Sequence, residues 1–137
     1  MDEPNMNKCI LVVDDDQDLI MLLTERLQSW GYRVLVAPDG KAGSRIAAEQ
    51  LPDLIILDML MPDWDGILTC AVLRKQPSTK EIPIIFLSAL CPDPGPVRSV
   101  GPGPACWTLG KPFKSEELLE VVRKVLKEPQ ESILEKS

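Results

Sequence analysis

The chain is predicted to fold as an α/β protein built on a parallel sheet, and three observations carry that prediction. Short apolar runs alternate with stretches whose apolar residues recur at helical spacing. Two of the runs, Cys9–Val13 and Leu54–Leu57, are continuously apolar rather than alternating, the mark of strands buried on both faces. At 137 residues and 45% apolar content, the chain is one domain in size and has enough apolar surface for a full core.

The elements follow in order. Cys9 to Val13 reads as the first strand and runs into the acids Asp14-Asp15-Asp16. A helix is expected from Gln17 to Trp30, with Leu19, Leu23, Leu27 and Trp30 on one face; Asp16 can cap its start and Gly31 can end it. Arg33–Val36 reads as the second strand. Asp39 can cap a second helix that stops before Pro52. Asp53–Leu57 is the third strand, with Asp58 at its tip. A helix from about Asp65 to Lys75 follows, ended by Pro77, and Ile82–Leu87 is the fourth strand. Near the end, Ser115 can cap a helix in which Leu118, Val122, Val125 and Leu126 share a face. Glu116 and Glu117 open that helix and Lys124 and Lys127 close it, as the helix dipole favours. Repeated βα units with right-handed crossovers are the economical arrangement.

Charge and cysteine usage narrow the function classes. The net charge of −6 leaves no cationic excess for a nucleic-acid or anionic-membrane surface. The four cysteines, Cys9, Cys70, Cys91 and Cys106, form no Cys-x-x-Cys pair, and the chain has no histidine. Scattered thiols in a reducing compartment fit better than structural zinc. No signal-peptide pattern and no run long enough to span a bilayer is visible, so a cytoplasmic location is expected.

The chemistry lies in acids at strand ends. In an open parallel sheet, ligands bind beyond the carboxyl ends of the strands. Asp14 and Asp15 follow strand one, Asp58 ends strand three and Ser88 ends strand four, so all four belong at one edge. Two like charges about 4 Å apart repel by about 4 kcal/mol at an effective dielectric of about 20. Three carboxylates together call for a proton or a cation. Magnesium suits, because it takes one or two carboxylates and completes its shell with water and phosphate oxygens. An Asp after a strand is often only a helix cap; that role falls to Asp16.

With Ile10-Leu11-Val12-Val13-Asp14-Asp15-Asp16, the D-x-x-M-P-x-x-D-G pattern from Asp58 to Gly66, Ser88-Ala89 and Lys111-Pro112-Phe113 in this order, the chain resembles the receiver domains of two-component response regulators. The resemblance covers about Lys8 to Lys127. It implies a flavodoxin-like, doubly wound, five-stranded parallel sheet of order 2-1-3-4-5. It also implies that Asp58 accepts a phosphoryl group from a histidine kinase or phosphotransfer protein, and that Asp15, and Asp14 through water, hold Mg2+ together with Asp58 and the Leu60 backbone carbonyl. Ser88 and Lys111 would then contact the phosphoryl group. Such a chain promotes its own phosphorylation and dephosphorylation without being a conventional enzyme. Leu60, and Leu90 two residues after Ser88, cannot orient a water, so slow hydrolysis is expected.

The implied organisation is a tail over 1–7, a receiver over 8–128 and a second tail over 129–137. Output is expected through contact with a downstream protein of unknown identity, without direct binding of nucleic acid or membrane.

One segment departs from the family pattern. Between Cys91 and Pro104, where the fourth helix normally stands, the chain carries five prolines and three glycines. Each proline inside a helix costs about 3 kcal/mol and each glycine about 1. The fourth helix is therefore expected to be disrupted, with room for one turn over Pro96–Val100. Thr108 stands where the family usually has an aromatic switch residue, with Trp107 beside it. An interaction module of the same fold that is not phosphorylated is the alternative. An aspartyl-nucleophile phosphatase would want an acid where Leu60 stands.

Overall fold

The computed structural model describes residues 8–61, 64–88, 95–97 and 106–127. Five strands run parallel: β1 (Cys9–Val13), β2 (Arg33–Ala37), β3 (Leu54–Asp58), β4 (Ile84–Ser88) and β6 (Cys106–Gly110). A three-residue strand, β5 (Gly95–Val97), pairs antiparallel with β6 and completes the order β2-β1-β3-β4-β6-β5. The five parallel strands take the predicted flavodoxin-like 2-1-3-4-5 arrangement, and β5 is an addition at one edge. The segment over Pro96–Val100 had room for one helical turn; in its described part Gly95–Val97 is strand instead. The rest of the Pro/Gly-rich segment, 91–94 and 98–104, lies outside the described residues.

Helices α1 (Gln17–Ser29), α2 (Gly40–Gln50), α3 (Gly66–Lys75) and α4 (Ser115–Val125) cover both faces of the sheet. On one face Ile10, Val12, Leu54, Ile56, Ile85, Leu87 and Leu109 pack with Leu23 and Leu27 of α1 and Leu118 and Val122 of α4. On the other, Leu11, Val13, Ile55, Leu57, Ile84 and Phe86 meet Ala47 of α2 and Cys70 and Leu73 of α3. Burial on both faces explains why these strands read as unbroken apolar runs. Each buried Val, Leu, Ile or Phe side chain among them contributes about 1.5–3 kcal/mol.

The helix starts follow local chemistry. Asp16 Oδ1 accepts from the Asp18 and Leu19 amides, Asp39 Oδ1 from Ala42 and Asp65 Oδ1 from Leu68. These side chains satisfy donors that a helix N-terminus leaves open. Gly31, at φ 98°, follows α1 in the left-handed region that glycine tolerates. The expected Ser115 cap is corrected to Lys114. Its backbone N–H donates to Glu117 Oε1 at 2.9 Å, so the acid three residues on caps the start instead.

Candidate functional site

Sheet register brings the strand-end residues together. β1 and β3 are neighbours with Val13 opposite Leu57, which sets Asp14 level with Asp58. Asp58 pairs with Leu87 on β4, and Ser88 pairs with Gly110 on β6, one residue before Lys111. The Asp14 N–H donates to the Ala37 carbonyl and the Lys111 N–H to the Ser88 carbonyl, so strand-like bonding continues to the rim.

At that rim the carboxylates of Asp14, Asp15 and Asp58 lie with one oxygen from each within 4.8 Å of the others. Asp14, Asp58 and Ser88 are buried, and Asp15 is exposed. Lys111 Nζ stands 3.3 Å from Asp58 Oδ1 and 3.7 Å from Asp14 Oδ2. Asp58 Oδ1 also accepts a long hydrogen bond, 3.4 Å, from the Leu60 N–H. Leu60 thus meets Asp58 through its amide, and its side chain is exposed.

Asp14 carries the strongest electrostatic signature. Only 1% of it is exposed, and its Oδ1 accepts from the Asp16 N–H at 2.9 Å. Its Oδ2 is buried without a hydrogen-bond partner. Burial pushes the Asp14 carboxyl up from 3.8 to about 6. The Asp16 amide opposes the rise, the Asp58 charge adds to it, Lys111 opposes it and Asp15 adds to it. The three-acid donor set, the orphaned Oδ2 and the costly charge on Asp14 together fit a hard divalent cation bound by oxygens.

Gly66 opens α3 and has a second duty at the site. A Cβ there would lie 2.7 Å from the Asp58 carbonyl oxygen and 2.9 Å from Met59 Cα. Only glycine lets α3 begin this close to the tip of β3, where its N–H bonds the Met59 carbonyl. Sequence spacing carries no signal for that contact. An open cleft of about 500 Å³ lies elsewhere, lined by Asp39, Lys41, Trp64 and Leu68, and includes none of the acids at the rim.

The family model described as response regulator receiver domain matches residues 10–123. The chain is 37% identical over 118 residues to the DNA-binding dual master transcriptional regulator RpaA of Synechocystis sp., covering 86% of this chain and 48% of that protein. It is also 37% identical to the alkaline phosphatase synthesis transcriptional regulatory protein PhoP of Bacillus subtilis, covering 89% of this chain and 50% of PhoP. The chain thus spans about half the length of these curated relatives. Among solved structures, the receiver domain of the sensor histidine kinase PA1611 from Pseudomonas aeruginosa, with magnesium coordinated in its active-site cleft, superposes with TM-score 0.74. The identity is 30%, covering 88% of this chain and 98% of that one. The chemotaxis protein CheY4 of Vibrio cholerae gives TM-score 0.73 at 28% identity, covering 86% and 98%.

Proposed function

The chain belongs to the response regulator receiver domain family of two-component signalling. From that premise we propose that Asp58 accepts a phosphoryl group from a histidine kinase or phosphotransfer protein, with Mg2+ held by Asp14, Asp15 and Asp58. The observation that carries this reading is the placement of Lys111 Nζ 3.3 Å from Asp58 Oδ1, beside an acid cluster whose oxygens lie within 4.8 Å of one another. A carboxylate so flanked is a poor packing residue and a well-placed nucleophile.

In this reading an Asp58 oxygen forms the new P–O bond while the P–N bond to the donor imidazole breaks, its electron pair staying on nitrogen. Lys111 offsets charge on the transferred group, and Ser88 offers it a hydroxyl from the end of β4. Mg2+, when bound, supplies positive charge against the phosphoryl oxygens. The chain's task is positioning and charge neutralisation of a loose transition state. The product adds about −1.5 to −2 charge beside Asp14, a change large enough to reset the rim.

The partners are a kinase or phosphotransfer protein and a downstream protein whose identity is open. RpaA is named as DNA-binding; for this chain, of net charge −6, we propose protein contacts. The proposed location is the cytoplasm. Cys9 is a free buried thiol, which suits a reducing compartment, and no helix among the described residues is long and apolar enough to cross a membrane.

The test is incubation with acetyl phosphate and Mg2+, read by phosphate-affinity gel and intact mass, for wild type and Asp58→Asn. Wild type is expected to gain one phosphoryl group and Asp58→Asn none. Failure of wild type to be phosphorylated, together with failure to bind beryllofluoride, would leave the non-phosphorylated interaction module.

A further inference from the structure

We propose that Asp16 is a positioning residue for the divalent-cation site, setting which oxygen of Asp14 faces the ion; this rests on the metal reading above. Asp16 joins two hydrogen-bonded systems through one residue. Its side-chain Oδ1 accepts from Asp18 N at 3.0 Å and Leu19 N at 3.2 Å, which fixes the first turn of α1. Its own N–H donates to Asp14 Oδ1 at 2.9 Å.

That second bond distinguishes the two oxygens of a buried carboxylate. Oδ1 is engaged by the amide. Oδ2 is buried, has no hydrogen-bond partner and lies 3.7 Å from Lys111 Nζ. One Asp14 oxygen lies within 4.8 Å of an oxygen from each of Asp15 and Asp58. With 1% of Asp14 exposed, bulk water barely reaches either oxygen. Asp16 itself is exposed at the start of α1, in ordinary extended backbone at φ −91° and ψ 106°. Its carboxylate is spent on the helix amides. It acts on the ion through the turn it holds. Removing the side-chain acceptor loosens that turn, lets the Asp16 N–H drift from Oδ1, and allows the Asp14 carboxyl to rotate so that Oδ2 no longer presents to the ion. Supporting groups that orient a metal-binding residue typically change affinity by about 10–100-fold.

The experiment is isothermal titration of Mg2+ into the full chain at pH 7.5 and about 0.15 M salt, for wild type, Asp16→Ala, Asp16→Asn and Asp18→Asn. Far-UV circular dichroism checks folding. Asn keeps a side-chain oxygen for the cap while losing the charge, and Asp18→Asn removes a neighbouring charge without touching the cap. Geometry predicts that Asp16→Ala weakens Mg2+ binding about tenfold or more, while Asp16→Asn and Asp18→Asn stay within about twofold because exposed charges are screened at this salt. Should Asp16→Ala not fold, Asp16→Gly, which caps tolerably without a side-chain acceptor, replaces it. Equal weakening in Asp16→Asn and Asp16→Ala would mean that charge alone matters and would overturn the proposal. So would wild-type affinity in Asp16→Ala. A wild type that binds no Mg2+ would remove the metal reading itself, an outcome visible before any variant is compared.

Discussion

Replacing Asp14 with asparagine should stabilise the metal-free protein. The Asp14 carboxyl rises from 3.8 to about 6 on folding, chiefly through burial. An acid whose folded value lies above its unfolded value binds protons more readily when folded. Its contribution to folding is therefore most favourable below about pH 4, declines as pH rises from about 4 to about 6, and stays reduced above that. At about 1.4 kcal/mol for each tenfold change in acidity, the rise amounts to about 3 kcal/mol of folding free energy withheld at pH 7.5. The asparagine side chain is close in shape and uncharged, and Lys111 would keep Asp58 as its partner at 3.3 Å. For a domain of this size, about 3 kcal/mol corresponds to a Tm about 10 °C higher. Thermal unfolding in chelator at pH 7.5 and pH 4 measures it: the variant should lead at pH 7.5 and converge with wild type at pH 4. Mg2+ at about 1,000 times its Kd should reverse the ranking, since a ligand at that excess adds about 4.1 kcal/mol to a protein that binds it. An Asp14→Asn variant no more stable than wild type at pH 7.5 in chelator would refute the claim that Asp14 is charged at a cost.

Three further outcomes follow from the same geometry. Gly66→Ala should cost about 1–3 kcal/mol, read as a lower urea midpoint, because its Cβ would meet the Asp58 carbonyl oxygen at 2.7 Å; an unchanged midpoint would show that α3 can step back freely. Lys111→Met should slow phosphorylation by acetyl phosphate about a hundredfold, since it removes the cation beside Asp58 Oδ1; a rate within about threefold of wild type would contradict the role given to Lys111. Leu60 is exposed two residues after Asp58 and has no group to orient water, so the phosphorylated chain should persist for minutes to hours. Leu60→Asn should shorten that lifetime about tenfold, whereas a wild-type half-life of seconds would reject the reasoning.

Much of this was legible because a parallel sheet converts sequence order into position. Once Cys9–Val13 and Leu54–Asp58 are buried neighbours, Asp14 and Asp58 must share a rim, and in-register pairing leaves them level. What escaped depends on contacts that spacing does not encode. The cap of α4 fell to Lys114 rather than Ser115 because a glutamate three residues on can bond a backbone N–H, whichever residue supplies it. The choice between the oxygens of Asp14 depends on a single amide two residues away. The closeness of Gly66 to Asp58 depends on how α3 meets the sheet. The sixth strand was hidden because Pro and Gly argue against a helix without specifying what replaces it.

That sixth strand also explains how the site can match the family pattern while a neighbouring segment departs from it. β5 pairs with β6 from Gly95 opposite Thr108 to Val97 opposite Cys106. The pairing thus ends two residues short of Gly110, and Lys111 lies beyond it. On its other side β6 is held by β4 through Ile85–Ser88, and the Lys111 N–H bonds the Ser88 carbonyl at 2.9 Å. Lys111 is therefore placed by β4, from within the parallel sheet. Trp107, one residue before Thr108, packs toward the α1 and α4 face and carries Lys124 Nζ 5.4 Å above its ring. Thr108 sits on the opposite face, buried, in register with Phe86. The aromatic next to the switch position is thus committed to α4, and the side chain on the Ser88 face is a small hydroxyl. The groups around Asp58 depend on strand ends that the Pro/Gly-rich segment does not supply, so the site can keep the family pattern whatever the sequence of that segment.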